Sequence, residues 1–163
     1  MNQPIYLSVI IPAFNEAQRI VPTLRATSTW LQAQSFGYEI LVVNDGSTDK
    51  TVEVVAELAK ELPNLRLINS TPNTGKGHVV RVGMLKAEGN LRLFMDADNS
   101  TSIEELPKLL LAINEGAAVA IGSRRANRMH GALQSPWYGR GWSRVANSVV
   151  RQGLVNGIYD TQC

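Results

Sequence analysis

Glu39-Ile40-Leu41-Val42-Val43-Asn44-Asp45-Gly46-Ser47-Thr48-Asp49 is the stretch that decides the fold. Residues 40–43 are apolar on both faces, the mark of a strand buried inside a parallel sheet, and they run straight into a polar turn. Beyond the turn the pattern is helical. Val52, Val55, Ala59 and Leu62 recur at helical spacing, Glu53, Glu57 and Glu61 take the opposite face, and Pro63 stops the run.

The same unit recurs on both sides of this stretch. Upstream, residues 7–12 read as a strand ended by Pro12, and a helix is predicted over 16–34, with Pro22 in its first turns and Thr27–Thr29 weakening it. Downstream come a strand at 65–69, the tight loop Thr74-Gly75-Lys76-Gly77, and a helix with Val80, Gly83, Met84 and Ala87 on one face. A strand at 91–95 is next, then a helix around Ile103, Leu106, Leu110 and Ile113, and a fifth strand at 117–121. Thr101 with Glu104, or Ser102 with Glu105, has capping-box spacing at the start of that helix. Strands alternating with helices predict an α/β, Rossmann-like, mostly parallel sheet with helices on both faces.

Composition narrows the class further. The 163 residues suit one domain, and 44% hydrophobic with 18% charged side chains can build a core. No apolar run approaches the roughly 20 residues of a bilayer span. The N-terminus lacks the positive region of a secretory signal. A single cysteine, Cys163, forms no internal disulfide and no cysteine zinc cage, which fits a reducing cytosolic setting. The net charge of +2 hides a division. Residues 1–115 carry ten basic and thirteen acidic side chains, whereas residues 116–163 carry six arginines and one acid, Asp160.

In an open α/β sheet, ligands bind beyond the carboxyl ends of the strands. Five segments fall there: 12–16, 44–49, 73–77, 96–100 and 122–125. Asp96-Ala97-Asp98 directs two carboxylates to one side of an extended chain, suited to a hard cation such as Mg²⁺ or Mn²⁺ shared with phosphate oxygens. Read alone, Asp98-Asn99-Ser100 is equally a helix cap, and Asn44–Asp49 is a turn plus a cap. Gly75-Lys76-Gly77 allows close approach of an anion to the backbone beside a point charge, but it is neither a P-loop nor a dinucleotide fingerprint. Arg124, Arg125, Arg128, Arg140, Arg144 and Arg151, interleaved with Trp137, Tyr138 and Trp142, form a basic tail that reads as a solvated face or as phosphate contacts; the solvated face suits Arg151, and phosphate contact suits Arg124 and Arg140. His78 and His130 have no metal-ligand spacing. A nucleic-acid module built on the basic tail leaves Asp45, Asp96 and Asp98 without a role.

Taken together, Val9–Glu16, Val42–Asp49, Asn73–Gly77, Asp96–Asp98 and Gly122–Arg124 resemble, in order, the motifs of the family 2 glycosyltransferases. Gly75-Lys76-Gly77 and Asp160-Thr161-Gln162-Cys163 are most similar to the polyprenyl-phosphate hexosyltransferases, the dolichyl-phosphate glucosyltransferase branch in particular, with the mannose synthases close by. The resemblance implies a GT-A fold, with residues 1–125 as the donor-binding half and 126–163 beginning the acceptor-binding part. It implies that Pro12, Phe14, Glu16, Val43, Asp45, Lys76, Asp96, Ala97, Asp98 and Arg124 bind the nucleotide sugar, Asp45 at base or ribose. Asp98, with Asp96, would hold Mg²⁺ or Mn²⁺, and Asp98, Arg124 and Arg140 would act in catalysis. The implied donor is UDP-glucose ahead of GDP-mannose, and the acceptor is a polyprenyl phosphate at the cytoplasmic side of a membrane. Transfer to a sugar hydroxyl is the alternative. Two departures stand out. Ser100 occupies a position where mannose synthases often have a Gln metal ligand, and the family's usual continuation beyond 160–163 is absent, so the chain reads as C-terminally truncated and membrane-associated through a missing segment.

Overall fold

The computed structural model describes residues 4–122. The chain divides into two compact units, residues 1–105 and 106–163. The first unit contains β1 (Ile5–Ala13), α1 (Ile20–Gln32), β2 (Gly37–Asp45), α2 (Thr51–Glu61), β3 (Leu65–Ser70), α3 (Lys76–Lys86) and β4 (Leu91–Phe94), then a 3₁₀ turn at Ile103–Glu105. The described part of the second unit holds one helix, α4 (Leu106–Asn114).

The four strands form one parallel sheet in the order β3-β2-β1-β4. That order dictates where the helices go. The chain steps outward from β1 through β2 to β3, then returns to β4 on the far side of β1. Right-handed crossovers put the helices of the outward steps on one face and the helix of the return on the other. The sheet is accordingly sandwiched, with α3 on the return face.

The core follows the pleat. Ile10 on β1 and Leu41 on β2 are register partners; with Val43 they pack under Val79 and Ala87 at the α3 face. α3 lies so close that a Cβ on Gly83 would overlap Ile10 Cγ2 and meet Val43 Cγ2 at 3.0 Å. The alternating residues Val9, Ile11, Ile40 and Val42 point to the opposite face, and all are fully buried, as are Leu24 and Leu31 of α1 and Val55 of α2.

Three boundaries differ from the sequence reading. α1 starts at Ile20, not at residue 16, because residues 16–19 form a turn in which both Arg19 and Ile20 donate to the Glu16 carbonyl. Pro22 then occupies the third helical position, where its missing N–H would have had no intrahelical acceptor anyway. On the α3 face Gly83 and Ala87 are buried as expected, and Val79 is buried where Val80 was expected. Residues 117–121 are not a strand. Val119 and Ile121 are 78% and 65% exposed, and the segment joins no strand ladder among the described residues.

Candidate active site

The reversal in strand order lies between β1 and β4, and the loops leaving those two strands part there to open a crevice. A cleft of about 530 Å³ occupies that place, within the range of small-ligand sites. Pro12, Phe14 and Glu16 from the β1 loop form one wall, and Asp96, Ala97 and Asp98 from the β4 loop form another. Asp45, Asn73, Gly75 and Lys76 close it from the side of β2 and α3. Each of the two loops flanking the crevice turns through an asparagine in the left-handed region, Asn15 at φ 56° and Asn99 at φ 55°. Asparagine tolerates that conformation better than most residues.

The rim is assembled from side chains that cap backbone donors across loops. Asn15 Oδ1 accepts from the N–H groups of Thr48 at 2.8 Å and Asp49 at 3.3 Å, and the Asn15 N–H returns to Ser47 Oγ at 3.0 Å. Asp49 accepts from Ala17 N–H at 3.1 Å through one oxygen, and through the other from Thr51 N–H at 3.0 Å and the Thr51 hydroxyl. The Thr51 hydroxyl is the main cause that holds the Asp49 carboxyl below its ordinary range. These bonds stitch the β1 loop to the start of α2. Thr23 of α1 donates to the carbonyl of Ala97 at 2.7 Å and so fixes the backbone between the two aspartates of the β4 loop.

The four carboxylates of the cleft have different partners. Asp45 is 3% exposed and committed to the next loop: one oxygen accepts from Thr74 N–H at 2.8 Å and the Thr74 hydroxyl at 3.1 Å, the other from Gly75 N–H at 2.9 Å. Asp96 Oδ1 takes the ammonium of Lys76 at 2.5 Å, which also lies 5.4 Å from the centre of the Phe94 ring. Glu16 Oε1 accepts from Arg19 at 2.8 Å, while its Oε2 is buried with no partner. Asp98 Oδ1 accepts from Ser100 N–H at 3.0 Å, and that bond, with Arg19 acting at longer range, lowers its pKa below the ordinary value. Its Oδ2 makes no hydrogen bond among the described residues.

The structure therefore brings Pro12, Phe14, Glu16, Asp45, Lys76, Asp96, Ala97 and Asp98 together in one cleft. Val43 is the exception. Its side chain is fully buried under α3, because its place in the pleat turns it into the core. Arg124 and Arg140 lie outside the described residues. Sequence reading placed Asn15, Asn73 and Thr74 within its strand-end segments without giving them individual roles, and it missed Thr23. For Thr23 there was a signal: Ile20, Thr23, Leu24, Thr27, Ser28 and Leu31 are the buried residues of α1 and share one helical stripe.

No group of three or more His, Cys, Asp or Glu side chains among the described residues forms a complete metal cage. The open oxygen of Asp98 and the orphaned oxygen of Glu16 are the donors that remain. They suit a hard divalent cation that takes one or two carboxylates and completes its shell with phosphate oxygens and water.

Known proteins are similar to this chain in sequence and in fold. The model of glycosyl transferase family 2 matches residues 8–158. The dolichyl-phosphate beta-glucosyltransferase ALG5A of Trichomonas vaginalis is 39% identical over 98% of this chain and 51% of its own length. Among solved structures, S. aureus TarS 1–349 in complex with UDP-GlcNAc superposes with a TM-score of 0.56 at 31% identity, over 68% of this chain and 32% of its own. Mannosyltransferase PcManGT from Pyrobaculum calidifontis, in complex with GDP-Man and Mn²⁺, gives 0.50 at 30% identity, over 60% of this chain and 30% of its own. This chain spans about half the length of the curated relatives it matches. A parallel sheet in the order 3-2-1-4, an acidic cleft at its switch point and a family match over most of the sequence lead to one assignment: the chain has the GT-A fold and belongs to glycosyl transferase family 2.

Proposed function

We propose that this chain is the donor-binding part of an inverting hexosyltransferase that moves a hexose, glucose ahead of mannose, from a nucleoside diphosphate to a polyprenyl phosphate. The observation that carries the reading is the polarity of the cleft. An open carboxylate oxygen on Asp98 faces the same space as the ammonium of Lys76, which together complement a cation-bound diphosphate. Glucose and a dolichyl-type acceptor are supported by the relative's name, and a nucleotide-sugar donor by the ligands in the two superposed structures.

The acceptor class has chemical support as well. A sugar hydroxyl needs a carboxylate to take its proton. Among the described residues of the cleft, Asp45 is occupied by Thr74 and Gly75, Asp96 by Lys76 and one oxygen of Glu16 by Arg19. A lipid phosphate is anionic at neutral pH and attacks without a base. The task left to these residues is to align donor and acceptor and to balance charge on the departing diphosphate. A divalent cation at Asp98 supplies Lewis-acid charge there when bound. Arg124 and Arg140 are assigned to donor or acceptor phosphates. The lipid acceptor puts the reaction at a membrane, and the cytoplasmic side is the one assigned to it; among the described residues no helix is long and apolar enough to cross one.

The test is transfer by the full-length protein. UDP-glucose or GDP-mannose is supplied with dolichyl phosphate and Mg²⁺ or Mn²⁺, and lipid-extractable hexose is measured. The expected product is a polyprenyl-phosphate hexose, formed faster from UDP-glucose. Transfer to sugar hydroxyls with none to lipid phosphate overturns the reading.

A further inference from the structure

Asp96 already has a cation of its own. Lys76 stands at the first position of α3 and reaches across the cleft mouth to Asp96 Oδ1, with its ammonium near the Phe94 ring. The pair has two properties that suit exchange. Its members are 58% and 39% exposed, so water screens their attraction and separation is cheap. No other hydrogen bond among the described residues fixes either group. Two residues further along lies Asp98, with its open oxygen.

We propose that Lys76 is an exchangeable counter-ion that couples metal binding to nucleotide binding. In the empty cleft it neutralises Asp96. A divalent cation arriving near Asp98 is repelled by the ammonium, and the repulsion is relieved when a diphosphate gives Lys76 a second anion to bind. Metal and nucleoside diphosphate then bind as a pair, each raising the affinity for the other by the same factor. The inference rests on the proposed donor class, and it gives Asp96 and Asp98 different parts: Asp98 meets the metal, while Asp96 holds the lysine until the ligand draws it away.

Mn²⁺ binding to the full chain, followed by electron paramagnetic resonance with and without UDP or GDP, tests this without a turnover assay. Lys76→Met keeps the apolar stem near Phe94 and removes the charge. Without nucleotide it is expected to bind Mn²⁺ about five- to tenfold tighter than the parent chain, from the loss of one like charge nearby. The tightening produced by added nucleotide is expected to shrink by the same factor. Lys76→Arg keeps the charge and is expected to bind Mn²⁺ without nucleotide as weakly as the parent chain, and Lys76→Gln repeats the neutral case with a polar side chain. Equal Mn²⁺ affinity in parent and both neutral variants, with nucleotide coupling intact, overturns the counter-ion role alone. Failure of UDP and GDP to bind any of these proteins in the presence of Mn²⁺ overturns the donor reading and this inference together.

Discussion

The two ends of the sheet use the same chemistry to opposite effect. At the amino ends of the strands, Glu39 on β2 is 3% exposed and fully partnered. It accepts from the Ser8 hydroxyl at 2.6 Å, Glu88 N–H at 2.7 Å and Arg66 at 2.9 Å. Ser8 accepts in turn from Gly89 N–H, and Arg66 reaches Glu88. One carboxylate thus ties β1, β2, β3 and the approach to β4, and the carboxylates of Glu88 and Glu39 raise the pKa of the Arg66 guanidinium further. At the carboxyl ends, Asp96 is held only by an exposed lysine, Asp98 keeps an open oxygen and Glu16 keeps an orphaned one. A parallel sheet separates the two kinds of site by construction, since every strand begins at one edge and ends at the other. A closed network adds to stability; an incomplete one is left for a ligand to finish.

Four measurements can break that comparison or sharpen it. The largest effect is expected from Glu39→Ala, which leaves Ser8, Glu88 N–H and Arg66 without their shared acceptor. About 3 kcal/mol of unfolding free energy is lost on urea titration, as for a broken buried pair. A loss under about 1 kcal/mol, the size of an ordinary hydrogen bond, would make the two ends alike. Asp98→Ala is the mirror experiment. Calorimetric UDP or GDP binding with Mn²⁺ weakens at least about tenfold, while stability changes by no more than about 1 kcal/mol. Gly46→Ala tests whether the open end also has structural positions. Its φ is +70° and an added Cβ would lie 2.9 Å from Asn73 N, so about 1–2 kcal/mol is expected on thermal melting. The smallest effect is on pH. The carboxyls of Asp49 and Asp98 are lowered from the ordinary 3.8, so their stabilisation is complete above that value and disappears as pH falls through the lowered ones. Urea midpoints between pH 5 and pH 2 should fall less in Asp49→Asn than in the parent chain.

Much of this was legible in the sequence because apolar runs and turn residues are local signals. The four strands and three crossover helices of the first unit follow from periodicity, and the strand-end rule picks out Pro12–Glu16 and Asp96–Asp98 from spacing alone. Partner choice was not legible. Asp45 was expected at base or ribose and does line the cleft, but no local pattern announces its bonds to Thr74 and Gly75, 29 and 30 residues away. Glu39 looked like the polar start of a strand, and nothing local announces Ser8 or Glu88 as its partners. The segment 117–121 failed for a related reason: an apolar run signals a strand's composition, while a strand exists only beside another that completes its hydrogen bonds.

Gly83 has a consequence at a distance. The missing side chain lets α3 settle onto Ile10 and Val43, and Lys76 lies seven residues earlier on the same rigid rod, about 10 Å along its axis. The contact at Gly83 therefore works as a pivot. A methyl group added there would push up the middle of the rod, and the displacement would arrive at its tip as a change in how far the ammonium overhangs Asp96. The glycine sets the reach of a lysine it never touches.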